Sequence, residues 1–297
     1  MELGACFSGG GIKGFAHIGA MKALEEEKIK FGYFSGTSSG SIVATLYSCG
    51  YSSEEIAKIF LNHVNDIKYI DSENVKRFFK NFFTGKGFKI DGLNSGMIIK
   101  RLINKYCNQK GVYNIKDIEI PLLIPAVNLC TEELYVFTNY KIENRSSGFR
   151  YIYDVDIGTA VQASCSYPGV FSPCVFEDSL LVDGGIAENI PWREMKKMGI
   201  DKVVSIVFND ESKCKRENSI IDILSKSFSI LCHELAEYEE DGSDYLLRID
   251  LPKCGLLEKV DGRKLMEEGY KQTKKKIKNI KQEVLSVSKK VSQFDYD

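Results

Sequence analysis

Apolar positions along the chain fall into short runs separated by glycine-rich or polar turns. Residues 3–7 form a continuous apolar stretch and predict a first buried strand. From residue 13 to 27 the pattern changes. Phe15, Ile18, Gly19, Met21 and Leu24 recur at threes and fours, a helical period, and Glu25, Glu26 and Glu27 close it. Residues 31–34 are aromatic and strand-like. After a small-residue turn, Ile42, Val43, Ala44, Leu46 and Tyr47 continue as a second helix. Strand, glycine turn, helix and strand make a βαβ start and imply a parallel sheet.

The later chain repeats this grammar. Ser52 or Ser53 caps a helix running to about residue 64, and residues 94–107 are helical. Residues 121–129 read as a central strand and 134–138 as its neighbour. A helix over 157–164 leads into a proline-rich turn at 167–173, then a short strand at 180–182 that ends at Asp183. Residues 203–208 and 245–249 read as strands, with a helix over 217–240 between them. Residues 66–90 are aromatic and basic, with Phe78, Phe79, Phe82, Phe83 and Phe88, and read as a core helix or as a lid or lipid-facing segment. In the last 35 residues Tyr270, Thr273, Ile277, Ile280, Val284, Val287 and Val291 alternate with Lys271, Lys274, Lys275, Lys276, Lys278 and Lys281. That is a basic amphipathic helix. It either packs on the body with a solvated lysine face or is drawn to a membrane surface.

Composition narrows the classes. The 297 residues show no internal repeat, linker or clear boundary, so the expectation is one domain over 1–297. A formal net charge of -1 excludes the basic field that nucleic-acid binding requires. Nine cysteines with no C-x-x-C pair read mostly as buried free thiols, which predicts a reducing compartment and a cytoplasmic location. His17, His63 and His233 lie far apart, so no metal site is expected. No basic segment followed by a long apolar run opens the chain, and no run approaches 18 apolar residues, so neither a leader nor a membrane span is expected.

The candidate chemistry lies in three turns. Gly36-Thr37-Ser38-Ser39-Gly40 sits between strand and helix and fits G-x-S-x-G. Glycines at either side let strand and helix approach, and Ser38 then projects ahead of a helix N-terminus. A Ser/Gly-rich loop that merely caps a helix fits the same five residues. Gly9-Gly10-Gly11-Ile12-Lys13-Gly14 likewise follows a strand and opens a helix. It also fits the dinucleotide fingerprint of an oxidoreductase, but that site needs a carboxylate at the end of the second strand, where this chain has Gly36-Thr37-Ser38. The alternative use of the loop is an oxyanion hole. In a parallel sheet, turns after neighbouring strands share one edge, so Gly10 and Gly11 can face Ser38, with the positive charge of Lys13 nearby.

Ser38 needs a base. Ser38, Asp183 and His233 follow the chain order of an α/β-hydrolase triad, but His233 lies within a helical pattern. Asp183 ends a strand before Gly184 and Gly185, where another segment can approach closely. Burial there raises its pKa and makes it a better base, so a Ser38–Asp183 dyad competes with the triad. A plain turn aspartate is the simpler reading of D-G-G alone.

Together GGGIKG at 9–14, GTSSG at 36–40 and DGG at 183–185 resemble the patatin-like phospholipases, in order and spacing. His17 in GFAHIGA, the stretch ASCSYPGVFSP at 163–173 and Asn189-Ile190-Pro191 look like further features of that family. The resemblance covers residues 3–208. The remaining 209–297 read as a strand and helices packed on that body. The resemblance implies an α/β, three-layer fold with a central, mostly parallel sheet flanked by helices. It implies no metal and a lipid or phospholipid substrate; no cofactor is expected, and transient contact with a membrane surface is the expectation from the basic helix. The resemblance makes Ser38 the nucleophile and Asp183 the base. Gly9, Gly10 and Gly11 become the oxyanion loop, with Lys13, Gly14, Gly36, Gly40, Gly184 and Gly185 in support. The function so implied is hydrolysis of acyl esters through an acyl-serine. A low-turnover lipid-binding or regulatory protein of the same fold remains the alternative.

Overall fold

The computed structural model describes residues 2–64, 66, 94–143, 147–209, 242–251 and 261–285, and a few positions between 223 and 238. The aromatic stretch around Phe78–Phe88, His233 and the end of the last helix beyond 285 therefore lie outside the described residues.

The expected opening is present. Strand β1 (Leu3–Phe7) is followed by a short turn of 3-10 helix at Gly11–Lys13, helix α1 (Gly14–Glu26), strand β2 (Tyr33–Gly36) and helix α2 (Ser39–Ser48). β2 starts two residues later than the aromatic run suggests, because its pairing with β1 begins at Tyr33 opposite Gly4. Helix α3 (Ser53–His63) is capped by Ser52. The Ser52 hydroxyl accepts from the Glu55 amide, and the Glu55 carboxylate takes the Ser52 amide in return. Then come α4 (Met97–Gln109), β3 (Leu122–Asn128), β4 (Leu134–Thr138), β5 (Phe149–Ile152), α5 (Ile157–Ser164), β6 (Cys174–Phe176), β7 (Ser179–Asp183), α6 (Trp192–Lys197), β8 (Lys202–Asn209), β9 (Tyr245–Asp250) and α7 (Gly262–Leu285). The sequence pattern predicts no strand at β5 or β6. Both are short, with half-exposed residues that blunt the apolar signal.

The strands form one nine-stranded sheet in the order β5-β4-β3-β2-β1-β8-β9, with β7 on β3 and β6 on β7. The β3-β2-β1-β8-β9 portion is parallel throughout. β4 and β7 both run antiparallel to β3, so the sheet is mostly, not wholly, parallel. Side chains alternate between two cores. Ala5, Phe7, Leu122, Ile124, Val204 and Ile206 face the helices of the larger core. Cys6, Leu123, Val203 and Val207 face a smaller one with Met195 on α6. Helices on both faces of one sheet make the three layers.

Helix α7 packs on α1. A Cβ on Gly19 would collide with the Met266 carbonyl, and one on Gly269 with the Ala16 carbonyl, so the two backbones touch. Lys274 then reaches Glu26 at 3.0 Å and Glu27 at 2.9 Å, and Lys281 reaches Glu27 at 2.6 Å. Of the two readings of this basic helix, packing on the body is the one observed. Among the described residues, no helix is long and apolar enough to cross a membrane. Seven cysteines of these residues are free thiols. Cys6, Cys49, Cys107, Cys165 and Cys174 are buried, while Cys130 is exposed.

Candidate active site

The site lies at the carboxyl edge of the parallel strands, and register explains its assembly. β2 pairs with the first part of β3 as far as Ser35 opposite Leu123. β7 runs the other way along the same side of β3, and its last residue, Asp183, lies opposite Ala126. The two strands therefore approach tip to tip. Ser38 follows one tip and Asp183 forms the other.

Ser38 sits at φ 54° and ψ −123°, a conformation that costs a non-glycine residue on the order of 1–3 kcal/mol. The surroundings hold it there. Its amide donates to Ser164 Oγ at 3.0 Å, and its carbonyl accepts from Ser41 Oγ at 2.6 Å. Thr37 before it is tied by its amide to the Phe7 carbonyl and by its hydroxyl to the Glu188 carbonyl, at 3.1 and 3.0 Å. Close approach also requires the flanking glycines. A Cβ on Gly36 would strike the Gly40 carbonyl, and one on Gly40 the Phe7 carbonyl. Gly14 leaves room for Ser39, whose Cβ would lie 3.0 Å from an added methyl.

Asp183 is almost fully buried, 2% exposed. Its amide donates to the Ser166 carbonyl, and its Oδ1 accepts the Gly185 amide at 2.9 Å. Oδ2 has no hydrogen-bond partner among the described residues. Burial pushes the carboxyl up from its ordinary 3.8 to about 6. The nearby Ser38 hydroxyl and the Gly185 amide pull less strongly in the other direction. Ser38 is thus close enough to favour the ionised form without completing an aligned hydrogen bond to Oδ2. Gly184 packs directly on the Pro125 carbonyl of β3, 2.5 Å from any added Cβ, and so anchors the turn beneath the carboxylate.

The glycine loop stands beside Ser38: a Cβ on Gly9 would lie 3.3 Å from Ser38 Cβ. Gly9 does not offer its amide as expected, because that N–H donates to Asn189 Oδ1 at 3.0 Å. Gly10 and Gly11 remain. No described residue accepts their amides, and Gly11 opens the 3-10 turn with φ 57°. Lys13 ends that turn half-buried, its amide on the Gly10 carbonyl at 3.2 Å. His17 is fully buried between the rings of Phe7 and Phe208. Its Nε2 lies 2.9 Å from the Ser8 carbonyl, which makes Nε2–H the donor. Burial drops its pKa to about 3, so it stays neutral. It is a support of the loop, held in the first turn of α1. Ser164 and Asn189 lie within 163–173 and 189–191, yet their contacts to Ser38 and Gly9 carry no local signal. His63 is remote from these turns and bonds Asp66 and Tyr106 instead. Among the described residues, no group of three or more His, Cys, Asp or Glu is placed to hold a metal ion.

Known proteins are similar to this chain in sequence and in fold. Lysophospholipase NTE1 of Meyerozyma guilliermondii is 27% identical over 207 residues, covering 69% of this chain and 12% of that protein. An uncharacterized protein, R571, of Acanthamoeba polyphaga mimivirus is 30% identical over 210 residues, covering 69% of this chain and 65% of its own. The chain thus spans a small part of the NTE1 relative and about two thirds of the viral one. In three dimensions it is similar to VipD from Legionella pneumophila, with a TM-score of 0.54 at 14% identity, over 94% of this chain and 67% of that one. The type III effector ExoU matches with a TM-score of 0.50 at 15% identity, over 96% of this chain and 53% of that one. At those identities the two structures speak for the fold alone. A family model described as patatin-like phospholipase matches residues 5–196, from β1 through the glycine loop, the Ser38 turn and Asp183 into α6. With most of the chain matched and all three turns inside the match, the protein belongs to the patatin-like phospholipase family.

Proposed function

We propose that the protein is a serine lipid acyl hydrolase of phospholipase A type, acting through a Ser38–Asp183 dyad. The observation that carries this reading is the buried Asp183 carboxylate, one oxygen anchored on Gly185 and the other unpartnered, beside a serine held at a strained turn. In the first step Asp183 takes the hydroxyl proton as Ser38 Oγ attacks the ester carbonyl. The carbonyl oxygen becomes an oxyanion, and the amides of Gly10 and Gly11 stabilise it. Loss of one such donor costs about 3 kcal/mol of barrier. The tetrahedral intermediate expels the alcohol, which takes the proton back from Asp183. Water, deprotonated by Asp183, then attacks the acyl-serine, and Asp183 returns the proton to Ser38 Oγ as the ester bond breaks and the fatty acid is freed. A base with a pKa near 6 is largely ionised at neutral pH yet accepts a proton better than an ordinary carboxylate.

The substrate class rests on the family and on similarity to lysophospholipases, so phospholipids and lysophospholipids are proposed, met at a membrane surface. The buried free thiols favour a cytoplasmic location. The test is labelling with a fluorophosphonate probe together with hydrolysis of a panel of defined lipids. Wild type should label at Ser38 and release fatty acid. Ser38→Ala should lose both, and Asp183→Asn should lose at least about 10³-fold in kcat. An unlabelled Ser38 with intact lipid binding would instead leave the non-catalytic lipid-binding reading.

A further inference from the structure

One peptide unit in the glycine loop is gripped at both ends by side chains from distant elements. The Ser8 carbonyl accepts from His17 Nε2–H at 2.9 Å, from within α1. The Gly9 N–H donates to Asn189 Oδ1 at 3.0 Å, from the segment after β7. A planar trans peptide points its carbonyl and its N–H in opposite directions. Two hydrogen bonds on opposite sides therefore stop that plane from rotating. Gly40 also packs against the Ser8 carbonyl, with 2.7 Å to an added Cβ, which leaves no room for a flip. The amides of Gly10 and Gly11 follow directly along the chain, so a fixed Ser8–Gly9 plane narrows the directions they can take.

We propose that Asn189 is a positioning residue for the oxyanion loop, fixing the Ser8–Gly9 peptide against His17 so that the next two amides face Ser38. The proposal rests on the hydrolase reading above. Its geometry is close on every side. A Cβ on Gly9 would lie 2.7 Å from Asn189 Oδ1 and 3.3 Å from Ser38 Cβ, so Asn189 is pressed against the loop where it passes the serine. A Cβ on Gly185 would lie 3.3 Å from Asn189 Oδ1 and 3.2 Å from Asp183 Oδ1. Asn189 thus ties the loop to the turn that carries the carboxylate, and an amide does so without adding charge to either. Taking the Gly9 N–H also withdraws that donor from competition for the substrate oxygen.

The experiment compares wild type with Asn189→Leu and Asn189→Asp on a soluble p-nitrophenyl ester. It measures kcat and KM, inhibition by a trifluoromethyl ketone that forms a tetrahedral adduct, and the pH profile. Asn189→Leu keeps the shape and removes the acceptor. We expect kcat to fall about 30-fold or more with KM within about threefold, and ketone affinity to fall in step with kcat/KM. A merely structural role moves kcat, KM and melting temperature together without that parallel, and overturns the proposal, as does kcat within threefold of wild type. Asn189→Asp keeps an acceptor for Gly9 but places a second carboxylate beside Asp183. The acid limb of its profile should move up by about one pH unit or more. If the leucine variant does not fold, an unmoved acid limb in the aspartate variant overturns the proposal. Wild type that is neither labelled at Ser38 nor active fails the hydrolase reading itself, a different outcome from an active wild type with indifferent Asn189 variants.

Discussion

Replacing Asp183 by asparagine should make the protein inactive and, at neutral pH, more stable. The carboxyl is 2% exposed, and burial raises it from 3.8 to about 6. Ionising it in the fold rather than in the unfolded chain therefore costs about 3 kcal/mol. The sign follows from which state holds the proton more tightly. Below about pH 4 both states keep it and the cost is absent. Between about pH 4 and 6 the unfolded chain releases it first, so stability declines as pH rises. Above about 6 the whole cost is in place. Asparagine has nothing to ionise. The stability of Asp183→Asn minus that of wild type should thus increase by about 3 kcal/mol from pH 3 to pH 7. Any fixed packing difference at the side chain cancels from that change. For a chain of this size the increase corresponds to about 5 °C in melting temperature. Urea unfolding followed by the single tryptophan, Trp192, at half-unit pH intervals reads it directly. If the two stability curves run parallel from pH 4 to 8, the carboxylate is not a buried charge and the reasoning is refuted.

On the proposed mechanism the same carboxylate sets the pH dependence of catalysis. As the base it must be ionised, so kcat/KM for a neutral ester should rise through an apparent pKa near 6, and a limb below pH 4.5 or above 7.5 would point to another group. Gly40→Ala drives a methyl into the Phe7 carbonyl, so we expect a loss of about 2 kcal/mol in urea unfolding and at least tenfold lower activity from the displaced turn. Gly269→Val forces α7 away from the Ala16 carbonyl on α1. A loss of about 3 kcal/mol is expected there, and an unchanged urea midpoint would show that the two helices do not touch as described.

Much of the site was legible in the chain because its parts are local. A serine between Gly36 and Gly40, an apolar strand before it and a helical period after it describe a strand–turn–helix without any distant contact. The glycine run at 9–11 and the turn at Asp183 are equally local. Continuous apolar runs also marked β1, β3 and β8 as strands buried on both faces. What these patterns omit is pairing. Nothing in residues 179–183 states that β7 runs antiparallel to β3, or that it ends where β2 leaves off, yet that register brings Asp183 to Ser38.

The polar contacts that complete the site are of the same kind. Ser164 on the Ser38 amide and Asn189 on the Gly9 amide join residues 126 and 180 positions apart, so no motif spacing encodes them. The glycine run suggested three amide donors, and the fold withdrew one of them by turning Gly9 toward Asn189. Local sequence marked the candidate residues and the turns that expose them, because backbone conformation and periodicity are short-range. Tertiary structure alone decided how the carboxylate is buried, which amides stay open and how the two strand tips meet, because those depend on long-range packing of the whole sheet.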